Sequence, residues 1–220
     1  MVDRFDVLET IRACGIVPAV RVNTEAQALR ALDALEKGGL RVAELTMNAE
    51  GAAQRLESAV SRFGDRMVIG AGTVLDPNTA RIAILAGAKF IVSPTLDPAT
   101  IETCQKHSVA VFPGALTPTE ILSAWRKGAD CVKVFPASSV GGPAYIRAVK
   151  TPLQQINLMP MGGVSLDTVA GYLQAGSFAL GVGSDLVSIS DLGEHGGSEI
   201  SKRATEYRAR IAEARSGMDN

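Results

Sequence analysis

The chain has 220 residues, 46% of them hydrophobic and 20% charged, with a formal net charge of -1. That composition describes a globular protein with the length for one large core, and a complete (β/α)₈ barrel uses roughly 200 to 250 residues. Acids and bases are interspersed, which points away from nucleic acid and membrane surfaces, and no apolar segment approaches the ~20 residues that span a bilayer.

The first residues, MVDRFDVLETIRACG, predict an amphipathic helix without the apolar region of a signal peptide. A rhythm of short apolar run, turn, amphipathic helix and glycine then begins. The runs are GIVPAVRV (15–22), LRVAELTM (40–47), MVIGAGTV (67–74), KFIVSP (89–94), VAVFPG (109–114), DCVKVFP (130–136), NLMPMGGV (157–164) and SFALGVGS (177–184). Helices are predicted after each, begun by Thr24, by Asp76-Pro77, by Asp97-Pro98 and by Thr117-Pro118, which are good caps and first-turn residues. Several end in glycine, at Gly38-Gly39, Gly87, Gly128 and Gly176, as left-handed C-caps do. The last stretch, from Ser188, predicts a Gly-rich loop and a terminal amphipathic helix.

Eight strongly apolar strands alternating with helices predict parallel strands buried on both faces. No strand opens on a GxGxxG or GxxxxGK[ST] loop. The expectation is therefore an α/β fold of one domain over 1–220, a closed (β/α)₈ TIM barrel with an N-terminal and a C-terminal helix. Cys14, Cys104 and Cys131 are odd in number and widely spaced, which predicts reduced thiols in a cytoplasmic protein. With His107 and His195 as the histidines, no His-based metal site is expected.

Such a barrel sets its active site at the C-terminal ends of its strands. Of the seven lysines, Lys133 alone lies deep in a predicted strand. Alternation sends Val132 and Val134 toward the helices and Cys131, Lys133 and Phe135 inward. A buried lysine is costly, so it serves either as a desolvated nucleophilic amine or as one half of a structural ion pair. Glu44 falls inward with Val42 and Thr46, and suits either an acid/base or the partner of Lys133. Arg21 shares a face with Ala19 and suits either a substrate carboxylate or a pair with Glu44. Thr73 offers a hydroxyl beside glycines that admit a ligand. Gly162-Gly163 and Gly183-Ser184 close the last two strands, where glycines serve either a phosphate or tight turns.

These residues lie in an ordered set of segments: RVAELT, IGAGTVLDP, FIVSPTLDP, PGALTPTEI, VKVFPAS, GGPAYIRAVK, PMGGVSLD and GVGSDLV. From about Gly15 to Leu186 the chain resembles the bacterial KDPG/KHG aldolase family. Its members are class I aldolases for 2-keto-3-deoxy-6-phosphogluconate (KDPG) and 4-hydroxy-2-oxoglutarate (KHG). The resemblance implies cleavage of a KDPG-type acid to pyruvate and glyceraldehyde 3-phosphate, or of KHG to pyruvate and glyoxylate, with no cofactor or metal. It implies Lys133 as the Schiff-base lysine and Glu44 as the general acid/base. Thr73, Pro94 and Phe135 match positions that shape the keto-acid pocket, and Arg21 matches the carboxylate-binding arginine. Gly162, Gly163, Gly183 and Ser184 match the phosphate loops. A homotrimer is implied as well.

Two positions depart from the pattern. Met47-Asn48 stands where some members have an arginine, which leaves the substrate carboxylate to Arg21. Asn48 and Gly183-Ser184-Asp185-Leu186 resemble the 2-dehydro-3-deoxy-6-phosphogalactonate branch. Met161 stands where many members carry a threonine, beside the aldehyde-end pocket. Alternatives from other classes are a phosphosugar isomerase or epimerase and a barrel turned binding module.

Overall fold

The computed structural model describes residues 3–193 and 197–217. Readings that fall on 1–2, 194–196 and 218–220, His195 among them, lie outside these residues.

Local chemistry starts the helices. Thr24 accepts the Gln27 N–H and Gln27 reaches back to the cap backbone, opening α2 (Glu25–Lys37). A capping acid or threonine followed by proline opens α4 (Pro77–Leu85), α5 (Pro98–Lys106) and α6 (Pro118–Arg126). The others described are α1 (Arg4–Cys14), α3 (Ala52–Phe63), α7 (Gly142–Lys150), α8 (Val169–Gln174) and α9 (Ser198–Ser216). None of the described helices is long and apolar enough to cross a membrane.

Among the described residues the apolar runs form nine short strands. These are β1 (Ile16–Val20), β2 (Val42–Thr46), β3 (Val68–Gly72), β4 (Phe90–Val92) and β5 (Ala110–Phe112), then β6 (Gly114–Ala115), β7 (Val132–Val134), β8 (Leu158–Pro160) and β9 (Leu180–Val182). All pairings among them are parallel.

The expected closed eight-strand barrel does not form. Six strands make one half-barrel sheet, ordered β5-β4-β3-β2-β1-β9, and β6-β7-β8 make a small second sheet. The physical reason sits at the two seams. Pro113 splits the run 109–114: its missing N–H removes one rung of the ladder, so β5 before it pairs with β4 and β6 after it with β7. At the other seam β8 ends at Pro160, and one isolated bridge, Met161 to Gly181, joins it to β9.

Two cores follow. One lies inside the sheets and is closed from below by α1, whose Val7 and Ile11 meet Val17, Val42, Phe90 and Phe112. The other lies between strands and outer helices and includes Val20, Leu45, Val132, Val134 and Leu180. Gly70 belongs to the first by omission, since a Cβ there would fall 2.6 Å from the Phe90 ring. Arg4 ties the start of α1 to Asp130 at 2.6 Å, and Asp130 also accepts the Val111 N–H.

Candidate active site

β7 places Lys133 by simple alternation. Cys131 belongs to the inner core and Val132 and Val134 to the outer one, so the side chain between them turns inward. Lys133 is 3% exposed, and its Nζ lies 4.9 Å from the centre of the Phe135 ring. β2 carries Glu44 inward in the same way, at 1% exposure. Its Oε2 has no hydrogen-bond partner among the described residues. The space it occupies is prepared by β3: a Cβ on Gly72 would sit 2.6 Å from Glu44 Oε1. The glycine expected to admit a ligand here admits the carboxylate.

Burial sets the protonation of both groups. It pushes the Lys133 amine below its ordinary 10.5, with Arg21 helping and Glu44 opposing. It pushes the Glu44 carboxyl above its ordinary 4.5, against the pull of Lys133 and Arg21. Among the described residues neither group makes an ion pair, with the other or with Arg21. Desolvation therefore outweighs attraction, and both shifts favour a neutral amine beside a neutral acid. A nucleophilic amine with a proton donor near it is what attack on a carbonyl requires.

Thr73 follows β3 directly and has φ 56, a left-handed backbone that a β-branched residue rarely adopts. Such strain costs about 1–3 kcal/mol and collects at functional sites. Pro94 follows β4. Its carbonyl would lie 2.2 Å from a Cβ on Gly114, and Gly114 is the β6 partner of Lys133. A third glycine thus brings Pro94 toward the lysine's strand.

Above this pair opens a cavity of about 440 Å³ at the C-terminal ends of the strands. Arg21, Phe135, Met161, Gly162, Gly163, Gly183 and Ser184 line it together. Lys133, Glu44, Thr73 and Pro94 are not on its wall. The two groups meet at Phe135, which touches both, and through Arg21, whose charge acts on Lys133 and Glu44. Arg21, expected on the inward face with Ala19, stands in the mouth of the site and is not buried with the pair. It lies just beyond β1, exposed, with its Nη1 only 2.7 Å from where a Gly183 Cβ would stand.

Gly162 and Gly163 have φ 90 and φ 75, and a Cβ on Gly163 would strike Ser138 at 2.3 Å. Turn geometry and packing therefore require glycine here whatever binds. The cavity also has walls that sequence reasoning missed: Gly181, Val164, Ser165 and Asp185. A Gly181 Cβ would lie 2.6 Å from Met161 Cε, so the two residues are one packing solution. Asp185 accepts a hydrogen bond from the Tyr207 hydroxyl of α9. Its place after Gly183-Ser184 was the available signal; its partner on α9 had none. Among the described residues no group of three His, Cys, Asp or Glu side chains converges as a metal site.

An α/β protein that buries one lysine and one carboxylate behind a glycine-lined mouth belongs with enzymes of carbonyl chemistry. The comparisons make this specific. A family model described as KDPG and KHG aldolase matches residues 7–202, and the chain belongs to that family. A 2-dehydro-3-deoxy-phosphogluconate aldolase of Pseudomonas aeruginosa is 38% identical over 77% of this chain and 76% of its own. A 2-dehydro-3-deoxy-6-phosphogalactonate aldolase of Escherichia coli K12 is 30% identical over 89% and 96%. The solved KDPG aldolase of Legionella pneumophila, holding pyruvate as a covalent carbinolamine, superposes with a TM-score of 0.84. It is 28% identical and is matched over 90% of this chain and 96% of that one. The protein is a class I aldolase, a carbon–carbon lyase.

Proposed function

We propose that this aldolase cleaves a 2-keto-3-deoxy-6-phospho sugar acid of the KDPG type to pyruvate and glyceraldehyde 3-phosphate. The observation that carries the reading is the buried pair, Lys133 shifted toward free amine and Glu44 toward free acid. In the proposed cycle the Lys133 Nζ adds to the C2 ketone and the adduct becomes a carbinolamine. Glu44 protonates its hydroxyl, which leaves as water and yields a protonated imine. A base, the Glu44 carboxylate, takes the C4 hydroxyl proton. The C3–C4 electron pair then flows to the imine nitrogen, releasing the aldehyde and leaving an enamine. Protonation at C3 and hydrolysis free pyruvate and restore Lys133.

Arg21 is assigned the substrate carboxylate, with Thr73, Pro94 and Phe135 around the keto acid. Gly162, Gly163, Gly183 and Ser184 are assigned the phosphate, in a cavity large enough for the far end of such a substrate. Galactonate stereochemistry is the second reading, favoured by Asn48 and by Gly183-Ser184-Asp185-Leu186. Met161 and Asp185 bring an apolar side chain and a carboxylate to the aldehyde end, which weakens the hold on a phosphate there, and KHG, which carries none, is the third candidate substrate.

One panel decides: pyruvate release from KDPG, its galactonate epimer and KHG, with EDTA present. The highest kcat/KM is expected with KDPG. Faster turnover of the epimer or of KHG moves the substrate to that compound, and no pyruvate from any of them rejects the whole reading.

We further infer a homotrimer. Leu75, Ile82 and Leu85, on and just before α4, are 57%, 50% and 70% exposed, an apolar patch suited to burial against another copy. Light scattering on eluting protein should give three times the chain mass. The monomer mass at micromolar concentration would reject the trimer.

A further inference from the structure

At the opposite end of the sheets, α9 presents Arg208, Ile211, Ala212 and Arg215. Spacings of three, four and seven set these on one helix face. That face meets the C-terminal ends of α1 and α2 and the residues leading into β2. Together they enclose a second cavity of about 440 Å³, with no lining residue in common with the first.

Arg41, Arg208 and Arg215 line this cavity, and no carboxylate does. Arg208 gives one hydrogen bond, to the Gly38 carbonyl at 3.4 Å. Arg215 gives two, to the carbonyls of Ala13 at 2.8 Å and Arg12 at 2.5 Å. Both therefore cap the ends of helices α2 and α1, a structural task. That task leaves most of the five N–H donors of each guanidinium free. It also leaves Arg41 unexplained, since this exposed side chain has no hydrogen bond or ion pair among the described residues.

The local backbone makes room for the charges. A Cβ on Gly39 would fall 2.1 Å from Arg208 Nη1, and one on Gly15 would fall 2.7 Å from Arg215 Nη2. Both glycines have positive φ, so neither position favours a side chain. The floor between the guanidiniums is apolar, built from Leu40 and Ile211. Like charges gathered over a low-dielectric floor repel one another, and an anion seated among them relieves that repulsion. Arg208 and Arg215 also lie beyond residue 202, where the family match ends.

We propose that this cavity binds a compact organic dianion, its acidic groups held by Arg41, Arg208 and Arg215 and its apolar body resting on Leu40 and Ile211. Calorimetry at low ionic strength tests it with benzene-1,2-dicarboxylate as the probe and the neutral diamide as control. Saturable binding of the dicarboxylate is expected, with none of the diamide. Arg41→Gln, which removes no hydrogen bond or ion pair among the described residues, is expected to weaken binding about tenfold while thermal stability and aldol cleavage stay unchanged. Arg21→Gln, at the other cavity, is expected to leave the affinity as it is. Absence of binding, equal affinity for the diamide, or an unaltered Kd in Arg41→Gln overturns the proposal. Weakening by Arg21→Gln does so too, because it places the probe in the active site.

Discussion

Lys133→Ala is expected to lose aldol cleavage by a factor on the order of 10⁴ or more in kcat, the scale on which removal of a catalytic nucleophile acts. Wild-type protein treated with pyruvate and borohydride should carry a mass increase on the Lys133 peptide, and the variant should carry none. The expectation rests on burial. At 3% exposure the ammonium form is penalised more than Glu44 can compensate, so the amine loses its proton below 10.5. Cleavage should accordingly fall as pH falls through that lowered value, because protonation removes the nucleophilic lone pair. Lys133→Arg should be as inactive as the alanine variant, since a guanidinium stays protonated at any working pH. Stability separates lost chemistry from lost folding. Lys133→Met exchanges a desolvated amine for an apolar chain of similar length and should melt no lower than wild type. Undiminished turnover in Lys133→Ala, or an adduct mapped to another lysine, would sink the assignment.

How far such a site is legible beforehand depends on the kind of order involved. The inward face of Lys133 follows from period-two alternation, a local rule that Val132 and Val134 obey on either side. The same rule reaches less far at Arg21: β1 stops at Val20, and the guanidinium just beyond it lines the exposed mouth and is not buried with the pair. Sheet closure escapes the pattern altogether. Apolar runs record burial but not which neighbour each strand pairs with, and Pro113 and Pro160 each take an N–H donor from the ladder near the two seams. The direction of the Lys133 shift needs two opposed quantities, desolvation and the field of Glu44, whose balance only packing decides. Asp185 and Tyr207 are a contact between segments with no shared motif. Glycines were legible as glycines, yet their reasons were not. Gly72 yields to Glu44 and Gly181 to Met161, and both are facts about another strand's side chain.

Glu44→Gln should separate the two halves of the proposed chemistry. The amide keeps the volume that fits against Gly72, where a Cβ would stand only 2.6 Å from Oε1, so the packing survives. It cannot deliver or take a proton, and kcat is expected to fall by about 10² to 10⁴. The Lys133 adduct with pyruvate should still form under borohydride, more slowly, because attack by the amine does not itself require the carboxyl. Stability gives an independent reading of the same residue. The folded-state value of Glu44 lies above its ordinary 4.5, so the folded protein holds this proton more tightly than the unfolded chain. Any stability tied to that proton is complete below 4.5 and is lost as pH rises through the raised value. Glutamine has no proton to lose. The melting temperature of Glu44→Gln should therefore match wild type in acid and rise above it as pH climbs through that window. A wild-type advantage that grows with pH would mean an ionised Glu44 stabilised by Lys133. In that case the carboxyl is held as a structural anion, and the acid role assigned to it fails along with the neutral pair.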